Sequence, residues 1–149
     1  MTIDYLFGKG ISQIIPTDRL NFTFSKRTGK IKSVLLDDKL IATFRSDGGI
    51  ALTIHGAELF VRNPKFSENC VVVKEEARDF ISMGRSVFAK HVVSCGDRIK
   101  PKSEVVIVDT NGNVLAVGKA LLSAKMMKYF KSGVAVKVRK GIKTYNNIV

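Results

Sequence analysis

The stretch EVVIVDTNGNVLAVGKALL, residues 104–122, decides the fold class of this chain. Its centre, Thr110–Asn113, contains an Asn-Gly pair, which is the strongest short-range signal for a β-hairpin. The apolar runs on either side, Val105–Val108 and Val114–Leu122, are rich in valine and predict the two strands of that hairpin. The second half of the chain is therefore expected to be built on antiparallel β-structure.

The segments around this hairpin extend the same architecture. Val134–Arg139 predicts a last strand in which the valines face one way and Lys137 and Arg139 face the other. Ser123 is suited to cap a short helix that runs to Phe130. Upstream, the sequence predicts a strand over Cys70–Lys74 and a short helix over Glu75–Met83, which Gly84 caps. A long strand is predicted over Ser86–Ser94. Many short strands with two short helices predict a small barrel.

The first 66 residues predict a small antiparallel sheet with a helix at each end. Apolar residues at near-helical spacing mark the first helix over Tyr5–Ile15, and Gly56–Val61 predicts the second. Asn63-Pro64 ends that helix and is expected to open a linker to Glu68. Four strands between the helices are separated by polar turns at Ser25–Lys30, Asp37-Asp38 and Asp47–Gly49. The predicted class is α+β, mainly β, with domains over 1–66 and 67–149.

The charge of the chain is strongly one-signed toward its end. The 149 residues carry 25 Lys and Arg against 13 Asp and Glu, a net charge of +12. From Thr110 to Val149 there are eight basic residues and no acidic ones, within a pattern that predicts folded structure. A folded, one-signed surface is typical of proteins that bind nucleic acid, although an anionic membrane or an acidic protein would also fit.

Composition argues against several other classes of protein. Met1–Gly10 lacks the pattern of a signal peptide, and no apolar run approaches the roughly 20 residues that span a bilayer. Cys70 and Cys95 form no CxxC motif and have no suitably spaced histidines, so neither zinc nor a disulfide framework is expected. We therefore predict a cytoplasmic protein without a membrane segment, metal or cofactor.

No catalytic arrangement emerges from the motifs. The paired carboxylates Asp37 and Asp38 are typical of a solvated turn, and His91 lies in an apolar segment where a packed histidine is the simpler interpretation. An enzyme that uses these three residues is kept only as an alternative, because no base, nucleophile and orienting group can be assembled around them.

Three basic features point to a binding surface. In Met83–Val87 a glycine joins helix to strand, so its backbone either caps the helix or approaches a phosphate. Lys137, Arg139 and Lys140, with Lys143, form an outward-facing basic row that could equally be a solvated sheet edge. The third feature is the hairpin tip with Lys26, Arg27, Lys30 and Lys32.

Several blocks of the second half occur in the order found in PUA domains, the RNA-binding module of pseudouridine synthases and archaeosine transglycosylases. They are Ala77–Phe80, Gly84–Lys90, Glu104–Asp109, Leu115–Ala120 and Gly133–Gly141. The first half resembles the small domain that precedes PUA in archaeal tRNA-guanine transglycosylases, through Tyr5–Gly8, Phe24–Ile31, Thr43–Gly49 and Leu52–Ala57.

This resemblance implies a pseudo-barrel that grips double-stranded RNA, in that family the acceptor stem and 3′ end of tRNA. The catalytic barrel of the transglycosylases has no counterpart in this sequence. The implied protein is a non-enzymatic RNA-binding protein that serves a separate catalytic transglycosylase chain. An assembly adapter that docks such a chain, with an incidental basic face, is the alternative. The family's RNA face corresponds to Gly84, Arg85, Ser86, Val87, Lys90, Lys137, Arg139 and Lys140.

Overall fold

The computed structural model describes residues 20–45 and 49–146, which form two sheets and four short α-helices. The helix predicted over Tyr5–Ile15 and part of the turn at Asp47–Gly49 lie outside the described residues. The first sheet is antiparallel in the order β1-β2-β3-β4. Its strands are β1 (Leu20–Phe24), β2 (Ile31–Leu36), β3 (Lys39–Phe44) and β4 (Ile50–Leu52).

Local turn chemistry sets this sheet, as the sequence predicted. Asp37 and Asp38 both have positive φ, +50° and +67°, in the tight turn between β2 and β3. Aspartate tolerates this left-handed backbone better than most residues. After β4, the Thr53 hydroxyl accepts a hydrogen bond from Gly56 N–H at 3.0 Å and caps α1 (Ile54–Phe60). This helix begins two residues before the predicted one.

The second sheet has six strands in the order β6-β10-β9-β8-β5-β7 and curves into a nearly closed barrel. β5 runs parallel to β8, and the other pairs are antiparallel. This confirms the predicted fold class of a small antiparallel sheet followed by a pseudo-barrel. The strands are β5 (Cys70–Val73), β6 (Val87–Phe88), β7 (Val92–Cys95), β8 (Glu104–Val108), β9 (Val114–Ala120) and β10 (Val134–Gly141).

Three helices accompany the barrel: α2 (Arg78–Ser82), α3 (Ala124–Tyr129) and α4 (Ile142–Asn146). Ser123 caps α3 as predicted, accepting from Met126 N–H at 3.2 Å. The single helix predicted over Glu75–Met83 is instead a 3₁₀ turn followed by α2. None of the helices within 20–45 and 49–146 is long and apolar enough to cross a bilayer.

The long strand predicted over Ser86–Ser94 is wrong. A 3₁₀ turn at Ala89–His91 divides it into β6 and β7. The reason is topological, because β6 pairs with β10 at one edge of the sheet while β7 pairs with β5 at the other. The chain must therefore change direction between the two edges that nearly close the barrel.

The linker predicted after Asn63-Pro64 is also wrong, because Pro64–Asn69 forms a 3₁₀ helix. Phe66 in this segment is fully buried and stacks on Phe60 of α1, with ring centroids 5.3 Å apart. Both rings belong to a core that also contains Ile41 from the first sheet and Val117 from the barrel. The two halves of the chain therefore share one hydrophobic core, and a second core fills the barrel interior.

Candidate nucleic-acid interface

The two segments that the sequence assigned to an RNA face lie side by side. β6 pairs with β10 in a register that puts Val87 opposite Val136 and Phe88 opposite Val134. At the far end of β10, the backbone of Gly141 lies against the loop after α2. A Cβ added to Gly141 would lie 2.2 Å from Ser82 O and 2.6 Å from Gly84 N, so only glycine permits this approach.

The glycine loop caps its helix. Gly84 has φ +97°, a left-handed conformation that favours glycine. Its N–H donates to Ile81 O at 2.9 Å, and the Arg85 N–H donates to Phe80 O at 3.1 Å. The Met83 N–H donates to Asp79 O and Phe80 O as well. These three N–H groups are therefore occupied within the protein, which favours the helix-cap interpretation over a phosphate cradle at this point.

Side chains supply the positive charge of this surface. Arg85, Lys90 and Lys137 are exposed and Lys140 is half-buried. None of the four forms an ion pair with another described residue. Lys137 lies directly opposite Lys119 on β9. Glu104 of β8 lies directly opposite Lys119 on its other side, so a carboxylate already stands beside these two lysines.

Val87 and Ser86 are less exposed than most of these cations. Val87 is fully buried in the barrel core, so it supports the surface from below. Ser86 is half-buried and comes directly before β6.

Arg139 does not share the environment of Lys137. The register of β10 against β9 shifts between Val138 and Lys140, so Arg139 is the extra residue of a β-bulge. Its Nη1 donates to Glu104 Oε1 at 2.8 Å, and its Nη2 contacts Glu104 Oε2. The same Nη2 donates to Leu52 O at 2.7 Å. Lys137 and Arg139 are both exposed, as the predicted alternation requires, but the Arg139 guanidinium is bound to Glu104 and Leu52, and RNA contact by Arg139 stays a prediction.

Glu104 completes a side-chain clamp on the edge of the first sheet. Its Oε2 accepts a hydrogen bond from Leu52 N–H at 2.7 Å, while Arg139 donates a hydrogen bond to the carbonyl oxygen of Leu52. Leu52 is in β4, the last strand of its sheet, so the ion pair occupies hydrogen-bonding groups that a further strand would use. Burial raises the pKa of Glu104, although Arg139 and the Leu52 N–H oppose the shift.

Acidic residues from earlier in the chain neutralise part of the basic C-terminal stretch. Lys128 pairs with Asp97 at 2.9 Å, and Lys143 pairs with Asp79 at 3.2 Å. With Arg139 bound to Glu104, the remaining cations of that stretch have no ion pair with any described residue. They are Lys119, Lys125, Lys131, Lys137 and Lys140.

Exposed apolar side chains border the cationic surface, and the sequence did not point to them. Phe80 and Met83 on and after α2 are 65% and 55% exposed, and Phe88 on β6 is 45% exposed. Helical spacing puts Phe80 on the same face as Ala77 and Ile81, which are both buried, so periodicity alone favours a buried Phe80. The signal available in the sequence was an aromatic residue three positions before the glycine loop, which begins at Met83 and carries Arg85.

The remaining candidates lie elsewhere. The basic hairpin tip with Lys26, Arg27 and Lys30 joins β1 to β2, in the first sheet rather than the barrel. Asp37 and Asp38 are also in the first sheet, whereas His91 is in the barrel and packs edge-on against Phe88, with ring centroids 6.3 Å apart. Among residues 20–45 and 49–146, no three His, Cys, Asp or Glu side chains form a potential metal site.

Comparison with known families agrees with this architecture. Residues 69–142 match the PUA domain, so the chain is a PUA-domain protein. Residues 1–65 match the patch-forming domain C2 of tRNA-guanine transglycosylase. The resemblance predicted from the sequence is therefore confirmed for both halves.

The chain is similar to archaeal tRNA-guanine(15) transglycosylases in particular. It is 40% identical over 142 residues to the enzyme from Methanothermobacter thermautotrophicus, which is 95% of this chain and 22% of that one. It is 39% identical over 139 residues to the enzyme from Thermoplasma volcanium, covering 93% and 22% of the two chains. The chain thus spans about a fifth of the length of these relatives, in their non-catalytic C-terminal region.

Solved structures show the same fold. A hypothetical protein from the hyperthermophilic archaeon Pyrococcus horikoshii superposes with a TM-score of 0.74 at 26% identity, over 94% of this chain and 85% of that one. A conserved PUA domain protein from Thermoplasma acidophilum has a TM-score of 0.60 at 23% identity, over 73% and 68% of the two chains. The second likeness shows the fold alone.

Proposed function

We propose that this protein binds structured RNA through the barrel face formed by the glycine loop, β6 and β10, and that it has no catalytic activity of its own. The observation that carries the proposal is the convergence of two cation-bearing segments on one face of a PUA domain, which is an RNA-binding fold. Arg85, Lys90, Lys137 and Lys140 supply positive charge there. Gly84, Ser86 and Val87 shape the surface, and Arg139 fixes β10 behind it.

The ligand that fits this face is a helical phosphate backbone. The cations of the protein face that have no ion pair with a described residue are three lysines and one arginine. Contacts from such side chains to phosphates carry no sequence information. Double-stranded RNA is recognised mainly by shape and by backbone contacts. Because the relatives are tRNA-guanine(15) transglycosylases, the RNA is proposed to be tRNA, gripped at its acceptor stem and 3′ end.

The bound tRNA is proposed to be the substrate of a transglycosylase-type enzyme acting in trans. The chain matches only the non-catalytic C-terminal region of its relatives, so the base-exchange chemistry would come from a separate catalytic chain. The protein would act in the cytoplasm, where tRNA is modified.

Binding of unmodified tRNA and of duplex DNA of equal length, each across a salt series, tests the proposal. Tighter binding of tRNA that falls steeply with salt is expected. Lys137→Ala should weaken binding similarly for different RNA sequences and reduce the salt slope by about one, because one phosphate contact is lost. Lys65→Ala removes another exposed lysine, from the 3₁₀ helix, and should change neither the affinity nor the salt slope. Equal affinity for the two nucleic acids, or unchanged binding by Lys137→Ala, would contradict the proposal.

An assembly adapter is the second candidate. Phe22, Phe24 and Ile31 on β1 and β2 are 38%, 59% and 41% exposed, and β1 is at the edge of its sheet. Such an apolar surface would suit docking of a catalytic subunit. Co-purification of a transglycosylase barrel that survives ribonuclease treatment, and is lost in Phe24→Lys, would favour this function.

A further inference from the structure

Helix α3 has apolar side chains on two sides, and one of these sides faces solvent. Ala124 and Met127 are buried in the barrel core. Met126 and Tyr129 of the same helix, with Phe130 directly after it, are 43%, 79% and 44% exposed. Because the buried side already attaches α3 to the barrel, the exposed side is available for a second contact.

Met126, Tyr129 and Phe130 form one continuous surface, the α3 surface. The Phe130 N–H donates to Met126 O at 2.8 Å, and residues four apart on a helix are neighbours. The rings of Tyr129 and Phe130 meet edge to face, with centroids 5.6 Å apart. Single exposed apolar residues are common on protein surfaces, but a cluster on one short helix indicates an interaction site.

Lysine side chains from α3 and its C-terminal end border this apolar cluster. Lys125 and Lys131 are exposed and form no ion pair with a described residue. Lys128 is bound to Asp97 at 2.9 Å, so that pair adds no net charge. The border of the α3 surface is therefore positive.

The loop before β8 brings two more cations to the same end of the barrel. The Ala124 N–H donates to Ile99 O at 3.0 Å, and the Lys102 N–H donates to Ala120 O at 2.7 Å. These bonds hold the loop beside the start of α3. Lys100 and Lys102 are both exposed and form no ion pair with a described residue.

The chemistry of the α3 surface favours a protein partner. Protein interfaces have a fully buried centre enriched in Tyr, Phe and Met, and a polar rim. Met126 and Phe130 have no strong hydrogen-bonding group to offer a nucleotide. A second copy of this chain does not fit, because it would bring its own net charge of +12 against the same lysines. Carboxylates are the charge complement of this rim.

We propose that the α3 surface docks an acidic amphipathic helix of a partner protein. The apolar face of that helix packs on Met126, Tyr129 and Phe130, and its carboxylates lie against the surrounding lysines. Residues at i, i+3 and i+4 are the side chains through which two helices pack. The inference does not depend on the RNA face, which is formed by other residues.

Titration of the full chain with synthetic peptides, followed by two-dimensional NMR, tests the inference. The probe is a peptide of about 18 residues, long enough to form a helix in water, with leucines on one face and glutamates on the other. One control peptide has the same composition with its leucines scattered, and a second has lysine in place of glutamate. We expect the probe to shift the signals of Met126, Tyr129 and Phe130, and each control to bind about tenfold more weakly.

Variants of the chain identify the side chains that bind the probe. Tyr129→Ser should weaken binding about tenfold, as the loss of an aromatic interface residue does. Phe24→Ser is the matched control, since it removes a ring that is 59% exposed on β1 of the first sheet, and it should leave the affinity unchanged. Lys125→Ala should reduce the salt dependence of binding, because it removes a rim charge.

The outcomes separate this inference from the proposed function. Absence of probe binding, equal binding of the scattered peptide, or unchanged affinity in both Tyr129→Ser and Phe130→Ser overturns the inference. Single-stranded RNA that shifts the same signals and displaces the probe assigns the α3 surface to nucleic acid, which overturns it as well. A chain that binds the probe but not tRNA overturns the proposed function alone.

Discussion

Glu104 is only 5% exposed, and three hydrogen bonds explain how the fold tolerates a carboxylate there. Two of its hydrogen bonds come from Arg139, and the third comes from the backbone of Leu52. A buried ion pair adds little net stability, because desolvation of the two charges offsets their attraction. Removal of one partner is costly, since the remaining charge is left buried without compensation. Arg139, although its side chain is 38% exposed, therefore matters to stability in a way that Lys137 does not.

Arg139→Met should lower the free energy of unfolding by about 1–3 kcal/mol, because the buried Glu104 carboxylate loses two hydrogen bonds and keeps only the one from Leu52 N–H. Lys137→Met is the matched control, two residues away on the same strand and without an ion pair to a described residue. It should change stability by less than about 0.5 kcal/mol, as exposed substitutions usually do. Urea denaturation followed by circular dichroism measures both. Similar losses in the two variants would contradict the role of the ion pair.

The loss of unfolding free energy in Arg139→Met should depend on pH. Burial already raises the pKa of Glu104, and loss of Arg139 raises it further. A carboxyl whose folded pKa lies above its unfolded pKa stabilises the fold least at high pH, so the variant recovers stability as pH falls. The difference from the wild type should therefore be smaller near pH 5 than near pH 7, by roughly 1 kcal/mol.

Two comparisons isolate Glu104 in that experiment. Hydrogen bonds from Asn113 and Asn111, with Arg78 nearby, overcome the effect of burial and lower the pKa of Asp109. Asp109 thus loses its contribution as pH falls, but it does so in wild type and variant alike. The double variant Glu104→Gln/Arg139→Met carries no charge at either position, so its difference from Glu104→Gln should not vary with pH. A pH-dependent difference there would assign the effect to another group.

At the scale of elements, the loop after α2 and the end of β10 hold each other in place. Gly84 turns the backbone and Gly141 allows the strand to lie against it. The Thr144 hydroxyl of α4 then donates to Met83 O at 3.2 Å. This contact between glycines fixes the relative positions of Arg85 and Lys140, which come from segments more than fifty residues apart.

Gly141→Ala should destabilise the protein by about 1–3 kcal/mol, because its methyl group meets backbone atoms that cannot move aside cheaply. It should also weaken RNA binding beyond what Lys140→Ala does, since the loop and strand are pushed apart. Gly29→Ala is the control, with φ +73° but open space around the added Cβ. It should cost about 1 kcal/mol from backbone strain alone and leave RNA affinity unchanged. Equal RNA affinity in both variants would contradict the coupling.

Elements whose signals are local were predictable from the sequence. The Asn-Gly hairpin, the Asp37-Asp38 turn, the Ser123 cap and the Gly84 cap all depend on a few adjacent residues, and the structure has each of them. The bulge at Arg139 and the break at Ala89–His91 depend on which strands pair. The spacing of apolar residues along a short segment does not reveal strand pairing. The convergence of the loop with β10 was available only through the family resemblance.

At the scale of the whole molecule, the two halves form one packing unit. The core that contains Ile41, Phe60 and Phe66 also contains Cys70, Val106 and Val117 of the barrel. Burial raises the pKa of the Cys70 thiol to about 12, as expected for a cysteine inside that core. The Glu104–Arg139 clamp on Leu52 joins the halves a second time.

The halves should therefore unfold together. Phe60→Ala, in the first half, should cost about 3–5 kcal/mol because a large buried ring is lost. Amide hydrogen exchange under conditions that report global opening should show faster exchange in β9 and β10 by the same factor as in β2 and β3. Met127→Ala, in the barrel core, supplies the reciprocal test and should accelerate exchange in the first sheet equally. If Phe60→Ala accelerates only the first sheet, the barrel is independently stable.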